Sequence, residues 1–178
     1  METKKFKIDS KLSNIDWIGR KVTGAHNGTI DVKEGNFLLN DGQITSGQVI
    51  IDMASLVILD VTDSATNTQF AGHLASDDFF SIEKYPTAAF DFVSVELQSG
   101  NQYRINGNLT IKGITHAASF DATITTSNDS LNLVGKLIVD RTKYDIKFRS
   151  GNFFKDLGDT LIYNDFELNV NVIANLKN

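Results

Sequence analysis

The chain has no cysteine and a single proline among its 178 residues. The first absence excludes disulfides, Cys-containing zinc sites and thiol nucleophiles, and it leaves the redox compartment open. No apolar stretch approaches the roughly 18 residues of a membrane-spanning helix. Basic residues are in the minority: 17 Lys and Arg against 22 Asp and Glu give a formal net charge of −5. A nucleic-acid partner calls for a basic surface, so none is expected. Histidine is scarce as well, with only His26, His73 and His116. They follow no HExxH-type spacing, and the chain has no GxSxG turn. A two-His metal site from His26 and His73 with Asp77 or Asp16 is imaginable, but hydrogen bonding that orients loops is the simpler role. The expectation is therefore no metal, no cofactor and no catalytic residue. Met1 to Lys7 is polar and charged, without the apolar run of a secretion signal. That points to the cytoplasm if Met1 is the native start, and to the periplasm if a leader has been removed.

What the sequence has in quantity is alternation. From Tyr103 to Lys112, apolar or small residues take the odd positions and polar ones the even positions. A period of two puts one set on each face of a β-strand. Ala118, Phe120, Ala122 and Ile124 continue it after Gly113, which suggests a hairpin. The same period runs through Ile15, Trp17 and Gly19; through Phe90, Phe92 and Ser94; through Leu131 to Val139; and through Phe166 to Val172. Turn residues separate these runs at Asn40-Asp41-Gly42, Ser99-Gly100-Asn101 and Ser127-Asn128-Asp129. One segment departs from the pattern. Phe70 and Leu74, with Ala71 and Ala75, recur at helical spacing, which predicts a helix over about Ser64 to Ser76. Pro86 then opens the next strand, where its missing N–H does little harm. Some eight antiparallel strands around one helix predict a single-domain, all-β barrel, which also removes exposed sheet edges.

Three blocks in this order resemble the YceI-like family. They are His73-Leu74-Ala75-Ser76-Asp77-Asp78-Phe79-Phe80 with Tyr85, Pro86 and Phe90; Gly107 to Thr115; and Asp140-Arg141-Thr142-Lys143-Tyr144-Asp145-Ile146. Asp145 stands where that family usually has Gly, and Ala75 where Lys or Arg is common. The resemblance implies a bacterial, lipocalin-like eight-stranded barrel with a long, apolar, tubular interior. It also implies non-catalytic binding or transport of a polyisoprenoid, such as an isoprenoid quinone or a polyprenyl phosphate. A fatty acid or fatty amide is the alternative ligand, and a lipid-acting enzyme using His26 or His73 is a third reading.

The inward positions expected to line such a tube are Trp17, Phe90, Phe92, Tyr103, Ile105, Leu109, Ile111, Phe120, Leu133, Leu137, Phe166 and Leu168. Small residues among them, such as Gly107 and Gly135, either leave room for a ligand or mark ordinary core positions. The locally basic stretch from Lys136 to Asp156 supplies Arg141 and Arg149 as candidate head-group contacts. Phe79 and Phe80 are expected to anchor the helix over the barrel. Phe153 and Phe154 could cap a barrel mouth or bury an interface in a homodimer.

Overall fold

The computed structural model describes residues 3–177. Its strands are β1 (Thr3–Ile8), β2 (Asn14–Lys21), β3 (Gly24–Asn40), β4 (Gln43–Ile58), β5 (Thr87–Ser99), β6 (Gln102–Ile111), β7 (Ile114–Thr126), β8 (Ser130–Asp140) and β9 (Ile162–Leu176). A single α-helix, α1 (Ser64–Ala75), stands between β4 and β5. The pairings are antiparallel, and the sheet closes on itself through β3 and β4. Nine strands fill eight positions because β1 and β2 share one. β3 pairs with β2 through Gly24–Ile30 and with β1 through Asn36–Asn40, and β9 likewise pairs with both. Residues 9–13 make the interruption, where the Asp9 carboxylate accepts the N–H groups of Lys11 and Leu12. The chain is thus an eight-position lipocalin-like barrel with one helix, as the alternation and the resemblance led one to expect.

Local chemistry explains the joints. The β3–β4 and β6–β7 hairpins turn on Asp41-Gly42 (φ 51° and 84°) and Lys112-Gly113 (φ 57° and 75°). Left-handed φ at both central residues matches the right-handed twist of the strands. The helix begins where Asp63 accepts the Thr66 N–H and ends one residue short of the expected Ser76. One alternating run reads differently in three dimensions. A bulge at Val93 shifts the register of β5, so Val95 rather than Ser94 packs towards the core and Val93 is exposed.

Antiparallel neighbours place successive connections at opposite ends of the barrel. The two long links, residues 59–86 and 141–161, therefore fall at the same end and cap it. The other half is filled. Phe6, Phe37, Ile105, Leu131, Leu133, Val172 and Ala174 are almost wholly unexposed there. Phe37, Phe90, Phe92 and Phe120 pack edge to face with centroids 5.3–5.6 Å apart. Inward glycines seat these rings. A Cβ on Gly107 would lie 2.5 Å from the Phe90 ring, one on Gly135 2.9 Å from Phe120, and one on Gly47 2.7 Å from Phe37. The small inward residues thus make space for aromatic side chains, not for a ligand, and a tube running the full length of the barrel is not observed.

Candidate functional site

The capped half holds a cavity of about 570 Å³, inside the range of ~300–1,000 Å³ common for small-molecule sites. Its walls come from regular strand alternation: Ile15 and Trp17 on β2, Ile51 and Met53 on β4, Leu109 and Ile111 on β6, and Phe166 and Leu168 on β9. The roof comes from the long links. α1 turns Phe70 and Leu74 downward, Phe79 and Phe80 follow it, and Ile146 and Phe148 close from the other link. Ring contacts lock this roof together. His73 packs on Phe79 and Phe148, and Phe80 meets Phe166 edge on. Phe79 and Phe80 therefore both anchor the cap and face the cavity. Phe153 and Phe154 remain about half exposed.

The expected lining residues divide into two groups. Trp17, Leu109, Ile111, Phe166 and Leu168 border the cavity. Phe90, Phe92, Tyr103, Ile105, Phe120 and Leu133 are correctly assigned to the interior but build the packed half instead. Leu137 sits opposite Leu168 in register without reaching the cavity wall. Alternation tells which face a side chain takes, not how far along the barrel the free space extends. The contributions of β4 and of residues 146–148 carried no such signal. On β4, Ile51 and Met53 share a face with Val49, but the apolar Ile50 between them masks the period in the sequence, and residues 146–148 lie outside any regular element.

Polar groups gather at the capped end, and most are committed. Arg141 is buried, and its guanidinium donates to the carbonyls of Ile146 (3.0 Å), Ile162 (3.1 Å) and Tyr163 (3.0 Å). That makes it a brace of the second link, although it also borders the cavity. Arg149 and Lys21 border the cavity too, and neither has an ion-pair partner among the described residues. Arg149 lies over the Phe148 ring at 4.9 Å. His26 Nδ1 is 2.8 Å from Asp60, and His73 Nε2 is 3.0 Å from Asp78. Partial burial pushes the Asp60 carboxyl up, but hydrogen bonds from the Asn27 N–H and His26 outweigh it and hold the group below its ordinary value. Each histidine thus turns to its own carboxylate. Among the described residues no group of three or more His, Cys, Asp or Glu side chains converges as metal ligands would. Trp17 lies against Gly28, and its Nε1 has no hydrogen-bond partner among the described residues.

The three sequence blocks meet at this end. Lys112, from the second, extends Nζ to the Asp77 carbonyl of the first (2.9 Å) and to the Asp145 carbonyl of the third (3.1 Å). His116 reaches the Lys143 carbonyl at 2.9 Å. Asp145, where the resembled family usually has Gly, takes a left-handed φ of 61°, a conformation that glycine accepts freely and Asp tolerates. The blocks therefore tie the cap to the barrel and leave much of the cavity wall to less distinctive residues.

Comparison with known proteins agrees with this arrangement. The YceI-like domain matches residues 6–174. A protein named UPF0312 from Pseudomonas putida F1 is 26% identical over 121 residues, covering 66% of this chain and 60% of its own length. Protein YceI from Escherichia coli O6:H1 is 29% identical over 126 residues, 70% of this chain and 65% of its own. The matched region thus spans roughly three fifths of these curated relatives. Among solved structures, Burkholderia cenocepacia BcnA superposes with a TM-score of 0.71 at 21% identity, over 93% of this chain and 98% of that one. A polyisoprenoid binding domain from Saccharophagus degradans also gives 0.71, at 14% identity, over 97% and 98%. At these identities the structural likeness speaks for the fold. Fold, ordered motif blocks and a match across nearly the whole chain together place this protein in the YceI-like domain family.

Proposed function

We propose that this protein is a non-catalytic binder of an isoprenoid lipid, a polyprenyl phosphate or an isoprenoid quinone, whose tail occupies the capped half of the barrel. The observation that carries the reading is the cavity itself, about 570 Å³ enclosed by Leu, Ile, Met and aromatic side chains under a fixed roof. Burial of one C5 unit, roughly 100 Å² of apolar surface, contributes on the order of 2.5 kcal/mol before ordering costs. Affinity then comes from hydrocarbon, and the sparse polar groups at the opening select the head. The solved Saccharophagus degradans neighbour named for polyisoprenoid binding supports this choice of ligand.

The reading needs no chemistry from the protein. His26 and His73 are engaged by Asp60 and Asp78, and the Thr66 hydroxyl on the cavity rim is donated to Asp63. A nucleophile would have to hydrogen-bond to its base, and neither histidine makes such a contact. Trp17 is the sole tryptophan and borders the cavity, so it reports on occupancy directly. Titration with geranylgeraniol is expected to shift or quench its emission saturably. A flat titration would contradict the proposal.

A further inference from the structure

A closed barrel should separate inner from outer residues, yet four residues border both sides of the wall. Arg20, Ile162, Tyr163 and Asp165 line the cavity and also a groove on the outer surface that runs past Ile138, Asp140 and Glu167. The four lie where β2 ends and β9 begins, so cavity and groove meet over an opening at the barrel rim. The strand ladder shows where it lies. From Gly19 to Lys21, β2 advances two residues while its partners on β9 run from Phe166 to Ile162, four residues, and Arg20 has no partner in the ladder. The surplus on β9 forms a bulge at the rim, beyond which Lys21 pairs with Ile162 and the Val22 N–H reaches the Leu161 carbonyl at 3.2 Å. The Arg141 guanidinium takes up the carbonyls of Ile162 and Tyr163 on that surplus. Gly19 leaves the inner edge clear, since a Cβ there would meet nothing within 4 Å.

The side chains at the bulged rim suit a latch and an anion. Arg20 on β2 reaches Glu167 on β9 at 2.8 Å, and Lys136 on β8 reaches the other carboxylate oxygen at 3.3 Å. This pair ties the two strands beside the bulge, where Arg20 has no partner on β9. On the cavity side, Lys21 and Arg149 lack ion-pair partners among the described residues, and Asp165 is the one carboxylate on the lining. The rest of the lining is mostly hydrocarbon, with Trp17 Nε1 also unpartnered among the described residues. A lipid tail longer than the half-filled barrel holds must also turn back or leave through an opening.

We propose that the opening over the bulged β2–β9 rim is the portal through which the lipid enters and leaves, and that an anionic head group, a phosphate monoester, rests there against Lys21 and Arg149. The proposal deepens the lipid-binding reading and rests on it. The absence of cysteine allows the protein to be folded first and blocked afterwards. Arg20→Cys and Thr66→Cys, the second under the helix at the cavity rim, are each compared before and after attachment of a bulky maleimide. Uptake of geranylgeranyl monophosphate and of geranylgeraniol is followed by stopped-flow Trp17 emission. Labelling at position 20 is expected to slow uptake of both lipids at least tenfold, and labelling at position 66 to change it less than twofold. The reverse order, equal slowing, or no effect of the label at position 20 would overturn the portal while leaving lipid binding intact. Lys21→Gln with Arg149→Gln is expected to weaken the monophosphate at least tenfold and the alcohol less than twofold. Equal changes would overturn the head-group assignment. If the unmodified protein takes up neither lipid, the lipid-binding reading itself fails, and the portal with it.

Discussion

At the residue scale, two arginines that look alike in sequence do different work. Arg141 is buried and spends its donors on three backbone carbonyls, whereas Arg149 keeps its charge at the cavity opening. Arg141→Ala strands those carbonyls, and at ~1–3 kcal/mol for each unsatisfied buried group the loss should be on the order of 3 kcal/mol. Urea denaturation checks this, and a change below about 1 kcal/mol would contradict the bracing role. Arg149→Ala should leave the midpoint nearly unchanged. Glycines give a second contrast. Gly107→Val drives a side chain into the Asp91 carbonyl and the Phe90 ring, both within 2.5 Å of the added Cβ. A cost of ~1–3 kcal/mol is expected from such overpacking. Gly19→Ala meets nothing and should cost less than ~0.5 kcal/mol. Equal costs in the two variants would refute the ring-seating explanation. The inward placement of Gly107 was legible from alternation; the ring that fills its space was not, because that contact depends on the turn of Phe90 across the sheet.

At the scale of elements, the helix was the most legible feature and the bulged strands the least. Phe70 and Leu74 announced α1 through spacing, and Asp63 fixes its start. β3 and β4 shift register at several points, so a period of two holds only over short runs, such as Gly28, Ile30 and Val32 on β3. Ile51 and Met53, which form a wall of the cavity, were hidden because the apolar Ile50 beside them blurs the contrast between the two faces. Acid should act on the cap before the barrel. The Asp63 carboxyl is lowered by the Thr66 hydroxyl and N–H, and that of Asp77 by the Ser81 hydroxyl and then Lys84. Asp60 is lowered despite its partial burial. A carboxyl whose folded pKa lies below its unfolded value near ~4 stabilises fully above that pH and progressively less as pH falls through the folded pKa. All three sit on the links around α1, and a fourth lowered carboxyl, Glu167 held by Arg20 and Lys136, lies at the same end on β9, which pairs with neither β6 nor β7. Hydrogen exchange at pH 7 and pH 3 should therefore show α1 amides losing protection while β6–β7 amides keep theirs. Equal loss in both would contradict a separately titrating cap.

At the scale of the whole molecule, the barrel is divided into a packed half and a hollow half. The eight-position architecture followed from period, turns and resemblance. The division did not, because it arises where large rings from Phe37, Phe90, Phe92 and Phe120 converge in space. The motif blocks were equally indirect. They pointed to the right family, yet Lys112, Asp77 and Asp145 show them acting as the joint between cap and barrel. Both candidate head-group arginines border the free space, but Arg141 spends its donors on the carbonyls of Ile146, Ile162 and Tyr163 while Arg149 has no ion-pair partner among the described residues. The lipid itself is tested most directly by mass spectrometry of a solvent extract from the purified protein, before and after incubation with prenyl lipids. A prenyl lipid in near-stoichiometric amount, retained through washing, is the expected result. A fatty acid or fatty amide in its place would contradict the isoprenoid assignment, and an extract free of lipid that stays empty after incubation would contradict lipid binding altogether.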